Sequence, residues 1–444
     1  MAEENQGQLA GPANIQKIGI ASLVNEGDIV DVSAGIIELR YYESILQDSP
    51  KATYIFADSG SSINEKSVIE GLPLHGSEPT LIVMTDNYEN KISIEMVCSK
   101  ASTLTKDTTK STVMLTLDTE EHYYNGSSSI RELFEGNIAD TIEKIFTANS
   151  PAGLASVKEF DIEEVGNPLS FYGNGFKAYY VLNTLAKKSK PQGGGGEKSA
   201  GYFFFGTSEK MIFKSIDSFF DEEKNPRKLS IIYNNSPDRT KGIPEGYDVK
   251  AMSYETDIAD ASKQSEQGSK KTKQITFDPA NFNFTHVVIS ALETIENIQN
   301  VTNFEPLTTA AEALPKFNPN FLEESARTTI SVKDSGTTKT LDDSESENYS
   351  TQEIENQSIM RYNQMFATRV SVTIPGNFSL HAGDLVFFDG PSLREDTKND
   401  EVDNDGGGLY IIASLCHYVS PERTLTKLSL IRDSFGRTGN HTSR

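Results

Sequence analysis

The chain has 444 residues, 41 Lys and Arg against 64 Asp and Glu, and a net charge of −23. That length allows two to four domains with sizeable cores, and 24% charged with 36% hydrophobic residues fits a globular chain rather than a disordered one. The acidic balance is the opposite of a nucleic-acid binder's footprint, and two cysteines, Cys98 and Cys416, exclude a disulfide framework or a four-ligand zinc site.

Residues 1–14 read as a loose arm containing Gly7, Gly11 and Pro12. Met1 to Asn5 is acidic and polar, with no secretory signal, and no apolar run is long enough to cross a bilayer, so folding in a cytoplasm is expected. From Ile15 to Thr119 the signal is β. Ile37, Leu39 and Tyr41 alternate with Glu38, Arg40 and Tyr42, and Val113, Leu115 and Leu117 with Met114 and Thr116. Turns at Asp58-Ser59-Gly60, His75-Gly76-Ser77 and Asp86-Asn87 divide the stretch into five to seven strands of a barrel or sandwich. Cys98 shares a strand face with Ile92, Ile94 and Met96 and reads as a small buried hydrophobe.

After Gly126 the period changes. Ser129-Ile130-Arg131-Glu132 fits a capping box for a helix through Ile130, Phe134, Ile138, Ile142, Ile145 and Phe146, with a break at Gly136 and a new cap at Asn137. A second helix is expected from about residue 174 to 189, ended by Lys187, Lys188 and Lys190, and Gly193 to Gly196 form a loop. Tyr202 to Phe205 and Met211 to Phe213 read as a hairpin, and Ser215 caps a short helix from Ile216 to Phe220. Pro226, Asn234 to Pro237 and Gly242-Ile243-Pro244 mark an exit. Val249 to Tyr254, Ile275 to Phe277 and Val287 to Ile289 are candidate strands, the first two flanking a polar loop from Ser262 to Lys273. Thr308 to Leu314 and Ile354 to Phe366 are helix-like, and Leu341 to Glu347 is an acidic solvated loop.

The C-terminal part is the most informative. Val370, Val372 and Ile374 alternate with Arg369, Ser371 and Thr373 before Pro375-Gly376-Asn377. His381-Ala382-Gly383-Asp384 turns the chain into Leu385 to Phe388, and Leu409 to Ala413 resumes after Gly406 to Gly408. A last hairpin closes over Pro421-Glu422-Arg423, with Leu428 and Leu430 facing away from Lys427 and Ser429. This describes a small antiparallel barrel wall.

Catalytic chemistry leaves no mark. His75, His122, His286, His381, His417 and His441 are scattered without metal-ligand spacing, and each reads as a turn or surface residue. Gly173-Asn174-Gly175 lacks the remainder of a nucleotide motif and reads as a helix-start turn. In the acidic 400–406 loop, Glu401, Asp403 and Asp405 alternate as in a calcium loop, but Ile412 stands where the bidentate acid belongs. No catalytic, metal or cofactor-binding residue is assigned, and the partner-interface residues are left unknown.

The order of strand, Ile374-Pro375-Gly376-Asn377, Ala382-Gly383-Asp384 with its apolar strand, Gly408-Leu409-Tyr410-Ile411, and the strand ending Leu430-Ile431-Arg432-Asp433 resembles the C-terminal barrel of the baseplate hub proteins of contractile-tailed bacteriophages. Tyr202 to Phe205, the turn at Thr207 to Lys210, and Phe213 to Asp217 resemble the mid-chain hairpin of the same family. Here Phe213 and Ile216 are expected in the core and Asp217 as a cap or turn residue. The resemblance implies an α+β, mainly β fold with two tube-like antiparallel barrels. The expected order is arm 1–14, first barrel 15–126, α+β domain 127–240, start of the second barrel 241–292, helical and loop insertion 293–366, barrel completion 367–433, and flexible tail 434–444.

It further implies a structural virion protein rather than an enzyme: a homotrimer whose barrels make a pseudo-sixfold ring between a hexameric tail tube and a trimeric spike, with wedge proteins outside. DNA would pass along an acidic wall without specific binding. No repeat between the two barrels is visible in the sequence. A spike-base protein of a contractile secretion system is a close relative of this reading. A receptor- or carbohydrate-binding tail protein and a tail-associated cell-wall hydrolase are the alternatives, although the absence of Trp weakens the first and the second needs an acid pair in a cleft.

Overall fold

The computed structural model describes residues 10–22, 29–60, 66–72, 74, 76–192, 200–233, 243–257, 268, 271–279, 282–290, 327–332, 351–391 and 406–433. The Gly193 to Gly196 loop, the Thr308 to Leu314 helix, the acidic Leu341 to Glu347 stretch, Glu401 to Asp405 and the 434–444 tail lie outside these residues. So do His75, His441 and eight of the twelve residues of the expected Ser262 to Lys273 loop, whose last three, Lys271 to Lys273, are strand.

The first unit holds β1 (Asn14–Ala21), β2 (Ile29–Asp31), β3 (Ile36–Ser44), β4 (Lys51–Asp58), helix α1 (Val68–Gly71), β5 (Glu78–Thr85), β6 (Lys91–Lys106) and β7 (Ser111–Asp118). All its pairings are antiparallel, in the order β3-β4-β7-β6-β5-β1-β2. Strands from both ends of that path share one core, Ile18 and Ile20 of β1 packing with Leu39 and Tyr41 of β3 and with Leu115 and Leu117. Cys98 lies fully buried there, beside Ile92, Ile94 and Met96. The strand alternation that places Leu39 and Tyr41 inside does not extend to Ile37, which is 43% exposed. A register shift between Ile36 and Glu38 inverts the side-chain parity at that point.

Next come α2 (Glu120–Ser127), β8 (Leu133–Phe134), α3 (Ile138–Thr147), β9 (Glu159–Ile162), β10 (Phe171–Tyr172), α4 (Ala178–Lys187), β11 (Tyr202–Gly206), β12 (Lys210–Ser215) and α5 (Ile216–Phe220). The expected capping box at Ser129 is not one. Thr119 caps α2, accepting from the His122 N–H at 3.4 Å, and Ile130 bridges Phe176 instead of entering a helix. The helix begins only at Asn137, whose side chain accepts from the Ala139 N–H at 2.9 Å. Gly136, at φ 95°, supplies the left-handed residue that separates the strand from this cap. α4 starts at Ala178 rather than near 174 because Asn174 and Gly175 both have positive φ. Ser215 caps α5, accepting from Ser218 N–H at 3.3 Å. Phe213 is fully buried and Ile216 is 1% exposed.

The last unit comprises β13 (Leu229–Ile232), β14 (Val249–Lys250) and β15 (Ser253–Asp257) and, after an insertion, four further strands. The insertion contains β16 (Lys271–Asp278), β17 (Asn283–Ser290), β18 (Arg327–Val332) and α6 (Thr351–Gln364). The chain then continues as β19 (Thr368–Pro375), β20 (Leu385–Asp389), β21 (Gly408–Val419) and β22 (Thr424–Arg432). Two expectations change here. β13 was placed within 127–240, yet it pairs with β20 and so belongs to the C-terminal sheet. β16 and β17, placed within a barrel start at 241–292, instead form a separate three-stranded sheet with β18. The unit is also not wholly antiparallel, since β13 runs parallel to both β14 and β20.

Helix α6 fastens the middle of the chain. Arg361, 2% exposed, donates to Asp217 in the first turn of α5, its Nη1 lying 3.1 Å from Oδ2. Ser358 Oγ donates to the Lys187 carbonyl at 2.8 Å, and the Tyr362 hydroxyl donates to the Tyr202 carbonyl. No helix among the described residues is long and apolar enough to cross a membrane.

Candidate assembly interface

The two β units are one sheet. β21 pairs antiparallel with β3 from Ser414↔Ser44 to Val419↔Leu39, while its other edge carries β22. The pairing is possible because β21 is bulged between Ile412 and Ser414. Before the bulge it pairs with β20, and after it with β3. A bulge adds twist and re-aims a strand, so a single strand serves its own unit and then the neighbouring one.

A buried carboxylate locks the joint. Glu43, on β3 and 1% exposed, accepts from the Tyr41 hydroxyl at 2.7 Å, the Ser208 N–H at 2.8 Å and the Ala382 N–H at 3.0 Å. His381 Nδ1 lies 3.2 Å from its Oε1. These partners come from the first unit, the turn between β11 and β12, and the turn before β20, so one side chain ties three parts of the chain together. The Ala382-Gly383-Asp384 turn fits because Gly383 has φ +89° and packs on Phe205 and Phe219, where a Cβ would approach both rings to 2.9 Å. Behind it, the His417 ring stacks on Tyr41 at 6.1 Å and 7°.

Burial alone would raise the Glu43 carboxyl, but His381 and the hydrogen bonds from His381, Tyr41 and Ala382 outweigh it and hold it at about 2. Burial would lower His381, and the Glu43 charge instead raises it to about 9. His417 is fully buried and is pushed down to about 4 chiefly by burial, hence neutral at pH 7. The surface reading of His417 is therefore wrong, and His381 sits in its turn but serves as an ion-pair partner. His286 is exposed and His122 half-buried. The sequence did carry a signal for the first two, because Glu43 shares strand parity with Leu39 and Tyr41, and His417 with Leu415 and Val419. A polar residue on an apolar parity needs a partner.

The His381 shift has a pH consequence. A histidine whose folded pKa is raised stabilises fully below its unfolded value near 6.5 and loses that contribution as pH rises through about 9. The unfolding free energy is expected to fall by on the order of 2 kcal/mol between pH 6.5 and 10, and urea titrations of His381→Asn should lack most of that dependence.

The sheet face opposite the cores forms a groove of about 700 Å³ across β3, β21, β22, β19 and β15. Ser44, Ser253, Ser371, Thr373, Ser414 and Ser429 line it. This face of the joined sheet carries both signs: Arg40, Lys51, Lys100, Arg369 and Lys427 beside Glu38, Asp118, Glu255 and Asp257. Arg40 lies 2.6 Å from Glu38, and Lys51 lies 3.8 Å from Asp118. The net charge of −23 is thus not concentrated on this face. Among the described residues no group of three or more His, Cys, Asp or Glu is placed to hold a metal ion.

No protein-family model matches the chain. No curated protein sequence matches it either. Solved structures do. The tail protein from Neisseria meningitidis MC58 superposes with a TM-score of 0.55 at 9% identity, covering 94% of this chain and 96% of that one. The 43 kDa tail protein of prophage MuSo2 from Shewanella oneidensis gives 0.53 at 12% identity, covering 94% and 99%. The chain has the mainly β fold of phage tail proteins, over nearly its whole length.

Proposed function

We propose that this protein is the central hub of a phage tail baseplate, three copies forming a ring of six β units around a pore. The hexameric tail tube would dock on one rim and a trimeric spike on the other. One observation carries the reading: the two β units have the same wiring. In the first, β1 pairs with β2 and β5, followed by β5-β6, β6-β7, β7-β4 and β4-β3. In the second, β13 pairs with β14 and β20, followed by β20-β21, β21-β22, β22-β19 and β19-β15. Each link has its counterpart in chain order, and only the direction of β13 differs from that of β1.

One bulge corresponds as well, between Cys98 and Lys100 in β6 and between Ile412 and Ser414 in β21, whereas the first unit's other shifts, at Ile15/Lys17, Ile36/Glu38 and Thr103/Thr105, have no counterpart among the described strands of the second. We read each unit as a small barrel closed by a bent run of chain. In residues 29–44 the first part pairs with β1 and the second with β4, and in residues 249–257 the first part pairs with β13 and the second with β19. The Val32 N–H donates to the Ile18 carbonyl, and the Met252 N–H to the Thr373 carbonyl, at those bends.

A chain with two equivalent units presents six when three copies close a ring, which reconciles a sixfold tube with a threefold spike. The fold shared with phage tail proteins supports this placement. In this reading the part between the barrels and the insertion face outward to the wedge proteins and spike. The hydroxyl-rich face of mixed charge lines the pore, where acids interrupt the cations and DNA finds no unbroken basic run to neutralise its phosphates. The protein works by geometry rather than catalysis, in the virion, after synthesis in the host cytoplasm. Co-purification with tail-tube and spike subunits tests the role: both should be retained by the hub, and retention of neither would contradict it.

A further inference from the structure

We infer that copies of this chain join by strand pairing between residues 99–106 of β6 on one copy and β15 (Ser253–Asp257) on the next, reproducing between chains the β21·β3 pairing found within one. This rests on the trimeric reading above and specifies which edges close the ring.

Among the described strands the mate of the β21·β3 joint is missing on both sides. β5 pairs with β6 only over Lys91 to Cys98. Past the bulge, β6 runs on to Lys106 with β7 as its one partner among the described strands. β15 corresponds to β3, yet among the described strands it pairs with β19 alone. Two open edges therefore stand where the duplicated wiring places the two halves of a second joint. Burial agrees: Tyr41 and His417, facing each other at the closed joint, are fully buried, whereas their counterparts Thr256 and Thr103 are exposed.

Register follows from the same correspondence. Cys416 is two residues past Ser414 and Ser102 two past Lys100, the residues that end the two bulges. Tyr42 opposes Lys51 on β4, and Asp257 opposes Arg369 at the equivalent position of β19. Since Cys416 opposes Tyr42, Ser102 should oppose Asp257, with Thr103 opposite Thr256. The charges are complementary. Residues 99–106 carry Lys100 and Lys106 and no acid, while β15 carries Glu255 and Asp257 and no base. Lys100 falls on the same face as Ser102, diagonal to Asp257, within reach of a cross-strand charge pair. An unpaired edge of this kind is a template for another chain, and the opposite charges select this one.

Cysteine cross-linking tests the register. In a Cys416→Ser background, Ser102→Cys combined with Asp257→Cys should give, on mild oxidation, a denaturing-gel ladder of two and three chains that reductant collapses, while either single variant should give none. Tyr42→Cys in the unaltered chain is the control, because it faces Cys416 and should form a disulfide within one chain. On the protein without substitutions, amide hydrogen exchange in 99–106 and 253–257 should slow by at least about tenfold on passing from dilute monomer to assembly. A three-chain mass without the ladder and without that protection would overturn the edge pairing and leave the trimer standing. A one-chain mass at every concentration would overturn both.

Discussion

Replacing Glu43 by glutamine is expected to lower the unfolding free energy by about 3 kcal/mol near pH 6, since removing one partner of a buried ion pair leaves the other uncompensated. The carboxylate accepts from Tyr41, Ser208 and Ala382 and faces His381. An amide keeps one acceptor oxygen and turns a donor towards groups that also donate. The loss should be larger at pH 6, where His381 is protonated, than at pH 10, where it is neutral. Denaturant titration at the two pH values checks both magnitude and sign, and a cost below about 1 kcal/mol would mean that the β3·β21 pairing holds the joint without the clasp.

Arg361→Ala should cost a comparable amount, about 3–5 kcal/mol. Its guanidinium is nearly sealed from water and serves Asp217 on α5 and the Ala200 carbonyl. Truncation removes the charge that pays for burying Asp217 and undoes the seat of α6 against β11, where Tyr362 also packs on Phe203 with ring centroids 5.0 Å apart. The first sign should be loss of protection of α6 amides in hydrogen exchange, ahead of global unfolding. Arg361→Lys should recover only part, because an ammonium cannot make the two-point contact.

Strands with one apolar and one polar face were legible in the sequence: β7, β19 and β22 follow their alternation, and α3 and α5 start at the caps their residues announced. What was not legible depends on partners distant in the chain. β3 and β21 are joined across some 370 residues of chain, and nothing local in Tyr41-Tyr42-Glu43 or His417-Tyr418 indicates that they meet. β15 reads Ser-Tyr-Glu-Thr-Asp, almost wholly exposed, so no periodicity marks it as half of an interface. The parallel entry of β13 is set by the sheet that it joins, since its Leu-Ser-Ile-Ile run fits either direction. The repeat between the units escaped the sequence because it lies in wiring and bulge position. Ala52 stands where the other unit has Val370, and Lys100 where it has Ser414.

The most direct test of the central claim is electron microscopy of the purified protein viewed down its assembly axis, with the particle mass measured on the same sample. The account predicts three chains of 48.9 kDa each in a ring with six β lobes around an open pore. Particles of a single chain at all concentrations, or a three-chain particle with three lobes and no sixfold repeat, would contradict it.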